Sequence, residues 1–142
     1  MSVLAQASPA QLEEAWNGLD DRPEYERVRG PEVGLVMLRG RAGGMGARFN
    51  LGEMTVTRCT VTLSGRAAEQ ATGHAYVGGR NLRHAELAAV FDALLQDPVR
   101  RPVLEISLVT PLEASLRERR QAVAARSAPT RVEFFTLVRG GD

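Results

Sequence analysis

Between Asn81 and Asp97 the chain carries a helix-length run with almost no polar face. Leu87, Val90, Phe91 and Leu94 recur at helical spacing, and Ala85, Ala88, Ala89, Ala93 and Leu95 fill most of the remaining surface. A helix that is apolar nearly all round has to be covered nearly all round, by its own domain or by a partner. Asn81 is a good N-cap and Asp97-Pro98 a good stop, so this helix is expected from about Leu82 to Gln96.

The cover has to come largely from strands. Met54 to Leu63 is rich in Thr and Val, with Thr55, Thr57, Cys59, Val61 and Leu63 on one face. Tyr25 to Arg29 and Val33 to Arg41 read as two strands broken by Pro31, and Arg48 to Leu51 as a short extended piece. Gly73 to Val77, Leu104 to Val109 and Arg131 to Val138 read as further strands. The last has Val132, Phe134 and Thr136 on one side and Phe135 and Leu137 on the other, as in a central or partner-covered strand.

Two more helices are expected. Ser8-Pro9-Ala10-Gln11 is a capped helix start followed by Leu12, Ala15, Trp16 and Leu19. Thr110-Pro111-Leu112-Glu113 repeats that logic ahead of an Arg-rich, solvated helix ending near Arg126. This order predicts the α+β class: a mainly antiparallel sheet of five to six strands, about three helices, and a single domain over residues 1–142.

Charge narrows the function. Eighteen basic residues, every one an arginine, face 17 acidic ones for a net +1. No whole-chain field draws such a protein to nucleic acid or an anionic membrane. The apolar runs are too short to span a bilayer, and the N-terminus has no signal pattern. The lone Cys59 excludes an internal disulfide and a multi-cysteine metal site. A soluble cytoplasmic protein is expected.

No complete catalytic set is present. His84-Ala85-Glu86 matches the first half of the zinc deaminase signature, but the Pro-Cys-x-x-Cys half is missing, so no metal site is expected. Gly43, Gly44 and Gly46 lie among Arg39, Arg41 and Arg48. Such a run can cradle an oxyanion or serve as a plain interstrand loop, and it matches no nucleotide-binding fingerprint. Arg80 could meet an anion at the start of the buried helix, pair with Glu86, or pair with a carboxylate on another subunit. Arg58, inside an apolar strand, has to face solvent or a carboxylate. No serine or cysteine nucleophile has a placed base.

These same residues carry a resemblance. Residues 1–5, Tyr25 to Val36, the Arg41-to-Phe49 glycine loop, Phe49 to Cys59, Tyr76-Val-Gly-Gly-Arg80, His84-Ala-Glu86, Asp92-Ala-Leu94 and Val132 to Gly140 run in order almost end to end. Together they resemble the G subunit of the carbon–phosphorus lyase core complex, a phosphonate metabolism family. Asn81 departs from the Asp expected after Gly-Arg, and residues 97–103 look unlike the family.

The resemblance implies a non-catalytic subunit working beside H, I and J subunits. The assembly would form alpha-D-ribose 1-methylphosphonate 5-triphosphate from ATP and methylphosphonate during organic phosphonate catabolism. This chain would bind no cofactor. ATP, S-adenosylmethionine and an iron–sulfur cluster would be handled by other subunits. The candidate functional or interface residues are then Arg41, Gly43, Gly44, Gly46, Arg48, Arg58, Arg80, His84, Glu86, Phe134, Phe135 and Arg139. The buried-type helix and the Phe134/Phe135 strand would face the I and J subunits, and the isolated chain would self-associate. The alternative is a small stand-alone phosphate-binding protein or enzyme using the Arg/Gly loop with His84 and Glu86.

Overall fold

The structure, a computed structural model, describes residues 1–41, 45–64 and 71–127. Two short helices come first, α1 (Ser2–Gln6) and α2 (Pro9–Asn17). Three strands follow, β1 (Glu24–Arg41), β2 (Arg48–Ser64) and β3 (Thr72–Gly78), paired antiparallel in the order β1-β2-β3. Helix α3 (Leu82–Leu94) lies across the sheet. A helical rod closes the described chain: α4 (Arg101–Leu104), a π-helical segment (Glu105–Val109) and α5 (Thr110–Ser127).

The start of α2 follows its sequence. Ser8 Oγ accepts from the Gln11 amide at 3.2 Å, and Gln11 Oε1 accepts from the Ser8 amide at 2.9 Å, a complete capping box. The start of α3 does too, with Asn81 Oδ1 accepting from the His84 amide at 2.9 Å.

The described residues form a mixed α/β domain whose sheet has three strands, fewer than the five to six expected. Two pairs of expected strands are in fact single long ones. Tyr25–Arg29 and Val33–Arg41 join in β1, because Pro31 does not break the strand. The pairing jumps from Arg29↔Thr60 to Glu32↔Arg58, so β1 bulges there, and a bulged proline needs no ladder partner for its missing N–H. Arg48–Leu51 and Met54–Leu63 join in β2 through Gly52, whose φ of 150° suits the third register shift of this pair, opposite Leu38 and Arg39.

Leu104 to Val109 is helical, not a strand. The deciding pattern is longer than the segment itself: Leu104, Leu108, Leu112 and Leu116 recur every fourth residue and are all buried, one stripe along the rod. Thr110 therefore caps no new helix; its Oγ1 donates to Glu105 O at 2.8 Å inside the rod. The π segment comes just before Pro111, which has no N–H to give to the regular ladder. The expected strand at Arg131 to Val138 lies outside the described residues.

The apolar helix is covered by its own chain. Leu87, Val90, Phe91 and Leu94 are at most 1% exposed. Cys59, Val61, Leu63, Ala75 and Val77 of the sheet join the same core as Leu4, Leu12, Leu104, Leu108 and Leu112 from the other helices. This corrects the expectation that α3 keeps surplus apolar surface for a partner. Small residues set the spacing. A Cβ on Gly73 would sit 1.9 Å from Ala89 O and 2.6 Å from Ala93 N, so β3 reaches α3 only because residue 73 has none.

Candidate interaction arm

The sheet has unequal strands, and the inequality builds the site. β3 pairs with β2 only from Val56↔Gly78 to Thr62↔Thr72. β1 and β2 stay paired to Arg41↔Arg48. Among the described residues, 35–41 and 48–54 therefore have only each other as ladder partners, and they form a two-stranded arm roughly 20 Å long at ~3.3 Å per residue.

Alternation assigns two faces. Val33, Leu35 and Met37 stand opposite Thr57, Thr55 and Glu53, on the side that α3 covers farther down the sheet. Val36, Leu38 and Met54 take the other side, with Phe49 and Leu51 toward the tip. Leu51 lies over Gly40, where an added Cβ would come within 2.7 Å of its Cδ1. Most of these side chains are bare: Leu35 is 61% exposed, Leu51 62%, Met37 50% and Phe49 47%. An isolated two-stranded ribbon is marginally stable in water, whereas fully burying one such side chain is worth about 1.5–3 kcal/mol. The arm gains most when another surface covers it.

Its basic tip differs from its stem. Arg58 Nε donates to Glu32 Oε1 at 2.6 Å, so this strand arginine finds a carboxylate within the chain, not only solvent or a partner. Arg41 instead donates to the Gly46 carbonyl at 3.2 Å. Arg41, Arg48 and Arg39 have no ion pair among the described residues. Gly43 and Gly44, like Phe134, Phe135 and Arg139, lie outside the described residues.

His84 and Glu86 are buried at 5% and 4% exposure, engaged inside the fold. His84 Nε2–H donates to Leu4 O at 2.9 Å and ties α3 to α1. Glu86 Oε1 accepts from Arg27 Nε at 2.6 Å and Tyr25 OH at 3.0 Å, while Arg83 Nη1 lies 3.5 Å from Oε2. Arg83 also pairs with Glu13 and lies over Trp16, whose ring meets Tyr25 edge-on. Burial pushes the Glu86 carboxyl up, but the hydrogen bonds from Arg27 and Tyr25 and the two guanidinium charges outweigh it and hold the pKa below the ordinary value. Tyr25 is pushed up by burial and by Glu86. Cys59 is likewise pushed up, first by burial and then by Glu86, which disfavours a reactive thiolate. The partners of Glu86 are thus Arg27 and Arg83; Arg80 is exposed beyond β3 and does not pair with it.

A groove of about 600 Å³ between α1 and α5 is lined by Gln6, Glu113, Arg117 and Arg120, with no His, Cys or second carboxylate. Among the described residues no cluster of His, Cys, Asp and Glu is grouped to hold a metal, and no helix is long and apolar enough to cross a membrane.

A family model described as "Phosphonate metabolism protein PhnG" matches residues 1–140. The chain is 46% identical over 142 residues to "Alpha-D-ribose 1-methylphosphonate 5-triphosphate synthase subunit PhnG" of Rhizobium meliloti (strain 1021), covering 100% of this chain and 88% of that relative.

Proposed function

Because this chain belongs to the phosphonate metabolism protein PhnG family, we propose that it is a non-catalytic assembly subunit of the carbon–phosphorus lyase core complex. It serves formation of alpha-D-ribose 1-methylphosphonate 5-triphosphate from ATP and methylphosphonate, an early step in organic phosphonate catabolism. The phosphonate displaces adenine from the ribose of ATP, so the triphosphate chain stays on the product. The chain works in the cytoplasm beside H, I and J subunits. Any S-adenosylmethionine and iron–sulfur chemistry belongs to those other subunits.

The observation that carries this reading is the arm. Both faces of its stem carry apolar side chains that the described residues leave largely uncovered, as expected of a surface made to be buried in an obligate complex. The chemistry-bearing groups support the non-catalytic role, since His84, Glu86 and Cys59 are buried and engaged in the fold. Their engagement speaks against a stand-alone phosphate site built on His84 and Glu86.

Reconstitution tests the reading. The H, I and J subunits should form the ribosyl triphosphate from ATP and methylphosphonate only when this chain is added. Full product formation without it would reject the role.

A further inference from the structure

The tip of the arm has a chemical face that docking alone does not explain. In the register, Arg39 stands opposite Asn50 and Arg41 opposite Arg48. Cross-strand partners and alternate residues share a face, so Arg39, Arg41, Arg48 and Asn50 project from the same side of the ribbon. All four are exposed. Phe49 and Leu51 take the opposite side, over Gly40.

Among the described residues none of these arginines forms an ion pair, and the nearest carboxylate on their face is Glu53, opposite Met37. From Val33 to Gly52 the sequence contains no aspartate or glutamate. The arginines nearer the body differ: Arg27 is paired with Glu86, and Arg29 and Arg58 share Glu32. Like charges directly opposite each other on two strands repel, so the Arg41/Arg48 pair weakens the ribbon unless an anion lies between them. Guanidinium is also the side chain suited to gripping phosphate with two parallel donors.

We infer that Arg39, Arg41 and Arg48 form an oxyanion grip for a polyphosphate, the triphosphate chain of the nucleotide consumed or the ribosyl product made by the assembled synthase. This rests on the subunit role proposed above. The apolar side of the tip, Phe49 and Leu51, seats the arm on a partner subunit, and the basic side then faces that partner's site. Three guanidiniums and one amide suit a chain of phosphate groups better than a lone phosphonate. The cluster acts in binding and supplies no proton or nucleophile.

The test uses the full complex, co-expressed with either the wild-type chain or an Arg39→Gln/Arg41→Gln/Arg48→Gln variant. The readouts are recovery of partner subunits, ATP affinity by equilibrium binding, and KM for ATP and for methylphosphonate. The inference predicts unchanged recovery, an unchanged KM for methylphosphonate, and ATP binding weaker by about tenfold or more, since each charge-assisted hydrogen bond is worth roughly a tenfold factor. Raised salt should narrow the gap between the two complexes. Unchanged recovery with ATP affinity within about twofold of wild type would overturn the inference, because that difference is less than one such bond. So would loss of the partners from the variant, which would show that the arginines meet partner carboxylates instead. Failure of the wild-type chain to recover partners would sink the subunit role first and this inference with it.

Discussion

Arg27 Nε lies 2.6 Å from Glu86 Oε1, and this ion pair ties strand β1 to the second turn of the buried helix α3. Glu86 is almost completely buried while Arg27 remains largely exposed, so the two are not equivalent targets. Glu86→Ala strips Tyr25, Arg27 and Arg83 of a shared acceptor and, because both arginines stay in reach of water, is expected to cost about 1–3 kcal/mol. Because the folded pKa of Glu86 is depressed, its ionic contribution is fully present above the ordinary glutamate pKa. It fades as pH falls through the lower folded value. Urea melts taken across acidic pH should show a steeper acid loss in wild type than in Glu86→Gln.

Gly73 makes a second, purely steric prediction. With Ala89 O only 1.9 Å from where a Cβ would stand, Gly73→Ala has to push β3 off α3. Overpacking of this kind costs about 1–3 kcal/mol. A lower urea midpoint with unchanged m is the expected result. A neutral or stabilising effect would show that β3 and α3 are not packed this closely.

His84 is read as a tie rather than a ligand. His84→Ala leaves Leu4 O without its donor, at a cost of about 1–3 kcal/mol. Hydrogen exchange should speed up across α1, Ser2–Gln6, before it does in β2. Loss of a stoichiometric metal from the purified protein on this substitution would favour a zinc role instead.

The sequence was legible where one element decides its own structure. The capped starts at Ser8 and Asn81 and the Cys59/Val61/Leu63 face were all readable, because caps and alternation are local signals. The rod was not. Ile106 and Val109 favour a strand locally, and only the Leu104/Leu108/Leu112/Leu116 spacing, which continues past Pro111, reveals the helix. The destination of the apolar surplus was also misread. The α3 run looked fit for a partner, yet the sheet, α1 and α2 cover most of it. The bare surface is instead the arm, where Val33, Leu35 and Met37 alternate as in an ordinary half-buried strand. The missing signal was pairing: the Gly73–Val77 strand was read with its end at Gly78, but nothing local reveals that it pairs only with Val56–Thr62 and leaves β1 and β2 to continue past it.

Leu35 and Met37 separate folding from assembly. Both are at least half exposed, so Leu35→Glu/Met37→Glu should change the isolated chain's stability by no more than about 0.5 kcal/mol at residue 35 and about 1 kcal/mol at residue 37, where the new carboxylate stands opposite Glu53. The same pair places two charges in a surface proposed to be apolar and buried in the complex. Recovery of partner subunits should fall by about tenfold or more, given a cost of at least 1.4 kcal/mol for the two desolvated charges. Equal recovery would move the interface elsewhere on the chain.

The most direct measurement of the central claim is co-purification from cells expressing the tagged chain beside its own genomic neighbours, with native mass spectrometry of what elutes. The account predicts the H, I and J subunits at fixed ratio with the wild-type chain, and their loss when the arm carries Leu35→Glu/Met37→Glu. Recovery of the wild-type chain alone, with its neighbours soluble and present, would contradict it.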